Sequence, residues 1–268
     1  MNTLTTARAA TAGLVAAAVL GGLVSVLVAQ APTSPPDFSG VYRPVAAFGG
    51  APPGPRAGGA PAPGQPLPPP ARTAPLSDGS RGRAANAPKL TPEYMAKWQA
   101  ISKARVAGSS DSDNTLKCLP PGMPAMMNMA YGMEVMQTKD KVTFFSELND
   151  ALRRVYLDGR KPSQIVLDDP TYAGYSTGHW EGETLVVDTV ALNDKTYIEG
   201  FTPHSDQMTV RERIRFVSPG ILEDRITVTD PKALMKPWET VKTYRKMTGP
   251  PEDQLREFAC AEGIEHAR

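Results

Sequence analysis

The sequence predicts a mainly β protein, an antiparallel lipocalin-like barrel with one N-terminal helix. About nine short segments rich in β-branched and aromatic residues are separated mostly by tight turns that contain glycine or proline. Repeated hairpins of this kind favour an up-and-down barrel, and a β-sandwich is the alternative architecture. No period of roughly 20 to 50 residues recurs, so the pattern does not indicate a propeller.

The clearest strand signals lie near the middle of the chain. Thr184 to Val190 follows a turn at Gly182 and is typical of the returning strand of a hairpin. Val186 and Asp188 share one face of this strand, which we expect to be wet or to line a cavity. Met208 to Val217 alternates more strictly and predicts a half-buried strand with a basic outer face.

One segment, Leu90 to Ala107, predicts the helix. Thr91 is suited to its N-cap, Pro92 to its first helical position, and Gly108 to its end. Trp98 lies on the apolar stripe, and we expect it to pack the helix against the sheet.

The N-terminal residues 1–31 have the composition of an export signal. Arg8 supplies a positive charge, Ala9 to Ala29 is apolar or small, and Ala29-Gln30-Ala31 offers a small-x-small cleavage site. The apolar run also approaches the length of a spanning helix, so a retained anchor is the alternative. We therefore expect a periplasmic or secreted protein.

The rest of the chain divides by composition. Residues 32–44 predict a first strand segment, and residues 89–268 predict the β-barrel domain. Between them, residues 45–88 contain 11 prolines and 8 glycines, which cannot bury enough apolar surface to offset the entropy of ordering. We interpret this stretch as a disordered insertion, and contact with a partner protein is its alternative role.

Charge and motifs exclude several classes of function. The net charge of +1 gives no electrostatic case for nucleic acid, or for membrane contact beyond a possible N-terminal anchor. The sequence has no Walker loop, dinucleotide fingerprint or zinc-finger spacing, so we expect no cofactor. His179 and His204 stand 25 residues apart without ligand spacing, so we expect no metal.

Two cysteines, Cys118 and Cys260, are present. An even number in an exported chain suggests a disulfide, and two free buried thiols are the alternative. A disulfide between them would close a long loop, which stabilises a fold by about 4 to 5 kcal/mol in the chain-entropy description.

Candidate catalytic residues are His204, Asp206 and Glu212. His204 could act as general acid or base because its ordinary pKa lies near neutrality, with Asp206 or Glu212 orienting the ring. Arg153 or Arg213 could hold a substrate anion. Glu212 falls on the apolar face of its strand, where an unpaired carboxylate is costly. Its alternative interpretation is a position near a strand end or an ion pair with a core arginine.

Several segments together resemble one family. They are PDFSGVYRP, LTPEYMAKWQA, CLPPGMPAMM, RRVYLDGR, GHWEGETLVVDT, PHSDQMTVRERIRF and REFACAEG. In this order they resemble a broad group of exported, largely uncharacterised bacterial β-rich proteins. The resemblance implies that Cys118 pairs with Cys260, and it directs attention to Trp180, Asp188 and Arg213.

The sequence thus predicts an exported barrel that binds a small, partly apolar molecule. Acid–base catalysis at His204 (hydration, dehydration, isomerisation or hydrolysis) is a further possibility, and the sequence does not decide whether the protein is an enzyme. The expected ligand-binding residues are Arg153, Arg213, Asp188 and Trp180. The alternative is a non-catalytic structural or assembly factor of the envelope that uses the Pro-rich segment.

Overall fold

The structure, a computed structural model, describes residues 34–45, 86–128, 131–258 and 260. The predicted export signal and most of the Pro-rich insertion lie outside the described residues. Within the described ranges, no helix combines the length and the apolar composition that a membrane crossing requires.

In the described part of the chain, nine strands form one closed barrel in which each strand pairs with the next along the chain. The barrel closes where the first strand pairs with the ninth. The predicted mainly β barrel is therefore confirmed, and the sandwich alternative is wrong. The strands are β1 (Gly40–Pro44), β2 (Met133–Gln137), β3 (Lys141–Ser146), β4 (Ala151–Tyr156), β5 (Tyr175–Glu181), β6 (Thr184–Val190), β7 (Thr209–Ser218), β8 (Ile221–Thr229) and β9 (Trp238–Lys246).

One strand pair departs from the predicted antiparallel pattern. Strands β4 and β5 run parallel, with Val155 opposite Ser176 and Tyr156 opposite Thr177. A parallel neighbour requires a crossover rather than a tight hairpin. The crossover is the stretch between the two strands, and it contains a short helix, α2 (Gln164–Asp168). The expectation of a wholly antiparallel barrel is wrong at this joint.

The longer helix, α1 (Pro92–Val106), lies where the sequence predicted it, with Pro92 in its first turn. Thr91 does not cap the helix through its side chain. Its hydroxyl instead donates to the carbonyl of Lys232, which ties the helix start to the loop between β8 and β9. Tyr94 and Trp98 are the buried residues of α1, and both belong to the main apolar core.

The hairpin between β5 and β6 turns at Gly182, as the sequence predicted. Glu181 pairs with Thr184, which leaves a two-residue loop, and Gly182 has a φ of 60°. A positive φ at only the first central position fits a type II′ turn, which favours glycine there.

Aromatic residues pack at the end of the barrel near this hairpin. The Phe38 ring lies 5.2 Å from that of Trp180 and 5.1 Å from that of Phe216. At the opposite end, where β6 ends and β7 begins, the core consists of buried aliphatic and methionine side chains. These are Met123, Met126, Met127, Leu192, Ile198 and Met208.

Cys118 and Cys260 form a disulfide with a Cα–Cα distance of 5.6 Å. The bond joins residues 142 positions apart in sequence. It fastens the segment that follows β9 to the loop that precedes β2.

Gly122 supports the fold through its backbone conformation. Its φ is +69°, and a Cβ atom there would lie 2.8 Å from the carbonyl oxygen of Tyr172 and would overlap the Thr196 methyl. We expect Gly122→Ala to lower the free energy of unfolding by more than about 2 kcal/mol, because left-handed strain and backbone overlap add.

Urea unfolding of the Gly122→Ala variant measures this loss. Gly108→Ala is the matched control, because Gly108 also has a positive φ, of +94°, but has nothing within 4 Å of an added Cβ. The Gly108→Ala variant should lose about 1 kcal/mol of the free energy of unfolding. Equal losses in the two variants would show that the space around Gly122 does not matter.

Candidate functional site

A buried ion pair crosses the inside of the barrel. Arg153 on β4 and Glu212 on β7 are 1% and 0% exposed. Arg153 Nη1 donates to Glu212 Oε1 at 2.8 Å, and Nη2 donates to Oε2. Such a two-pronged contact is the strongest geometry for an arginine and a carboxylate.

Arg153 also donates to two hydroxyl groups. Its Nε donates to Ser176 Oγ at 3.1 Å, and Nη2 donates to Thr189 Oγ1 at 3.0 Å. These hydroxyls lie 2.8 Å apart and bond to each other. The interpretation of Glu212 as the partner of a core arginine therefore describes the structure. Neither side chain is placed to meet a molecule from solvent.

A second carboxyl group, that of Asp224 on β8, lies beside this pair and is fully buried. No protein donor bonds to either of its oxygens among the described residues. Burial raises the pKa of Asp224 well above its ordinary value, and the charge of Glu212 raises it further. The raised pKa favours the neutral, protonated form of this carboxyl group.

Sequence reasoning missed Asp224, although a signal was present. Asp224 shares the inner face of β8 with the apolar residues Leu222, Ile226 and Val228. Glu212 shares the inner face of β7 with apolar residues in the same way. Burial also raises the pKa of the nearby Tyr244, whose hydroxyl donates to the carbonyl of Met127.

His204 lies elsewhere, in the loop between β6 and β7, and is 3% exposed. Its Nδ1 lies 2.9 Å from the carbonyl oxygen of Ser205, which can only accept, so Nδ1 carries the proton. The hydroxyl of Thr196 then donates to Nε2 at 2.8 Å. Burial lowers the pKa of His204, so the ring is neutral at pH 7 with both nitrogens engaged.

The neighbours of His204 in sequence point to different surroundings. Asp230 accepts from the amide and the hydroxyl of Ser205, each at 2.7 Å, and so joins this loop to the end of β8. Asp206 is exposed and has no hydrogen-bond or ion-pair partner within the described part of the chain. The structure thus does not bring His204, Asp206 and Glu212 together.

Two of the expected ligand-binding residues lie on the outer surface of the barrel. Asp188 pairs with Arg211 at 2.8 Å, and Arg213 pairs with Glu181 at 2.9 Å. The strand face shared by Val186 and Asp188 is only partly exposed to solvent, because Val186 is 2% exposed. Trp180 instead packs in the aromatic end of the core, so Arg153, Arg213, Asp188 and Trp180 do not share a surface.

A cleft of about 610 Å³ opens at the barrel rim and is here called the rim cleft. Its barrel side consists of Arg43 on β1, Tyr131 before β2 and Glu147 after β3. The segment 251–258 forms the remaining wall. Residues 254–258 of this wall have no regular secondary structure.

Glu147 fastens this wall to the rim. Its carboxylate accepts hydrogen bonds from the amides of Gly132 and Arg256, both at 2.9 Å, and from Arg43 at 3.3 Å. Burial acts to raise the pKa of Glu147, but the bonds from Arg256, Gly132 and Arg43 outweigh it and lower the pKa. Arg43 also donates to the carbonyl of Gln254 at 3.3 Å.

The rim cleft carries apolar and charged groups side by side. The rings of Tyr131 and Phe258 meet edge to face, with centroids 6.2 Å apart. The side chains of Glu252, Arg256 and Glu257 line the cleft and have no ion-pair partner among the described residues. In the same ranges, no group of three or more His, Cys, Asp or Glu residues could hold a metal ion.

Comparisons with known proteins add little. No family model and no curated protein matches the chain. Among solved structures, the wild-type fluorescent protein UnaG aligns at 17% identity and a TM-score of 0.28, covering 50% of this chain and 87% of that one. A mutant of it aligns at 17% identity and 0.27, covering 44% and 72%. TM-scores this low do not establish a shared fold. The fold of this chain is defined by its own strand pairing.

We expect the Arg153–Glu212 pair to be strongly coupled in stability. Arg153→Met or Glu212→Leu alone should cost about 3 to 5 kcal/mol, because each leaves the other charge buried without its partner. The double variant should lose much less than the sum of the two. Urea unfolding measures all three, with Arg213→Gln on the exposed outer face as a control that changes little. Additive losses would contradict the coupling.

Asp224 should make stability depend on pH. The pKa of Asp224 is raised in the folded state. Its contribution to stability is therefore complete below the pKa of the unfolded chain, about 4, and is lost as pH rises through the pKa of the folded state. We expect Asp224→Asn, which does not titrate, to gain stability relative to wild type as pH rises from about 4 to 8. Parallel stability curves for the two proteins would refute a protonated Asp224.

Proposed function

We propose that the protein is an exported barrel that binds a small, partly apolar molecule in the rim cleft. The cleft itself is the observation that carries this proposal. Its volume of about 610 Å³ lies within the usual range of small-molecule sites. Tyr131, Leu255 and Phe258 supply apolar wall, and Arg43 and Glu147 supply polar groups.

The inside of the barrel is a poorer place for a ligand. Phe144, Arg153, Glu212 and Asp224 are between 0% and 1% exposed, so side chains fill the interior at their level. Barrels of about this size can either hold one small ligand or be filled by their own side chains. The second arrangement describes this interior, which leaves the rim for binding.

Binding without catalysis is the reading that the geometry supports better. A general base needs a free lone pair within reach of a substrate, whereas both nitrogens of His204 are engaged inside the protein. Export is supported by the signal-like residues 1–31 and by the Cys118–Cys260 pair, because disulfides persist in oxidising compartments.

A neutral fluorescent probe, N-phenyl-1-naphthylamine, tests the rim cleft. We expect saturable one-to-one binding to the full chain, with a rise in fluorescence as the dye enters an apolar site. Phe258→Ala should weaken binding roughly five- to ten-fold, which is the effect of about 1 to 1.5 kcal/mol of aromatic contact.

Ile165→Ala is the matched control, because Ile165 is an exposed apolar side chain on α2 that does not line the cleft. It should bind the dye as wild type does. Absence of saturable binding, or an equal affinity in the Phe258→Ala variant, would remove the rim cleft as the site.

A further inference from the structure

We infer that the ligand of the rim cleft is an organic cation, an ammonium group on an apolar body. This inference rests on the proposed function and adds the chemical class of the ligand. Two features of the cleft carry it, namely the balance of charges on its wall and the aromatic pair beside them.

The charges that line the cleft do not cancel. Arg43 and Glu147 face each other at 3.3 Å and neutralise one another at the base. Arg256 then remains as one cation against the two carboxylates of Glu252 and Glu257. Counted over the described residues, the wall is therefore negative by one charge, so it attracts a cation.

The aromatic pair favours the same class of ligand. The Tyr131 and Phe258 rings stand at 89° to each other, so the edge of one meets the face of the other. Tyr131 is 40% exposed, so part of its ring is open to solvent. The face of an aromatic ring attracts an ammonium group through its quadrupole, and quaternary or alkylated amines are recognised in this way.

An anionic ligand would meet less favourable surroundings. Among the described residues of the wall, its only unpaired counter-charge would be the guanidinium of Arg256, and Glu257 is the adjacent residue. Arg43 is not free to bind an anion, because it already donates to Glu147. The carboxylate of Glu147 also accepts hydrogen bonds from the amides of Gly132 and Arg256. An anion near this wall would also be repelled by the unpaired carboxylate of Glu252.

Three molecules with one apolar body test the inference. These are 3-phenylpropylamine, 3-phenylpropan-1-ol and 3-phenylpropanoate, each used to displace N-phenyl-1-naphthylamine from the full chain at pH 7 and low salt. We expect the amine to displace the dye at roughly three- to ten-fold lower concentration than the alcohol, and the carboxylate to be weakest. This order should narrow at about 0.5 M salt, because screening weakens exposed charges.

Variants assign the preference to the wall. Replacing both acids, Glu252→Gln with Glu257→Gln, should bring the amine and the alcohol to similar affinity. Arg256→Gln should widen the gap between amine and carboxylate. Glu183→Gln, in the exposed turn between β5 and β6, is a control of the same chemistry outside the cleft and should leave the order unchanged.

The outcomes separate the inference from the function it rests on. If the alcohol or the carboxylate displaces the dye as well as the amine does, the cation inference is wrong and the cleft remains a binding site. If the dye binds but none of the three displaces it, the inference is also wrong. If the dye itself does not bind, the proposed function fails.

Discussion

One guanidinium group holds together the part of the barrel that strand pairing holds least. Strands β4 and β5 meet at only two residue pairs, whereas β7 and β8 pair along most of their length. Arg153 extends from β4 to a hydroxyl on β5, a hydroxyl on β6 and the carboxylate of Glu212 on β7. It therefore joins four consecutive strands from inside. This arrangement is stable only because the charge of Glu212 offsets that of Arg153, since a buried guanidinium without its partner is strongly destabilising.

The sequence predicted the barrel well because the relevant signals are local. Alternation in Met208 to Val217 places Glu212 inside, and a glycine with positive φ marks the turn at Gly182. The parallel joint had no such signal, because the relative direction of β4 and β5 depends on the path of the crossover between them, which no local pattern reveals. For the same reason the sequence indicated that Glu212 needs a partner, while the choice of Arg153, 59 residues away, required the fold.

The candidate site was predicted less well, for two physical reasons. Adjacent residues in an extended loop point to different surroundings, so His204, Ser205 and Asp206 look like a cluster in sequence and are not one in space. The rim cleft arises from an irregular segment packed against a barrel edge. Such a segment has no hydrophobic period that a sequence pattern could reveal. Its position depends on hydrogen bonds from Glu147 to distant backbone amides.

Barrel closure also imposes an order in time. The pairing that closes the barrel joins β1 to β9, two strands that lie about 200 residues apart in the chain. The edge of β1 that pairs with β9 therefore stays unpaired until the rest of the barrel has been synthesised. An unpaired strand edge can pair with other chains, which makes the incomplete barrel its most vulnerable form. The wall of the rim cleft follows β9 in the chain. A nascent protein therefore has no rim cleft until its barrel strands have all been made.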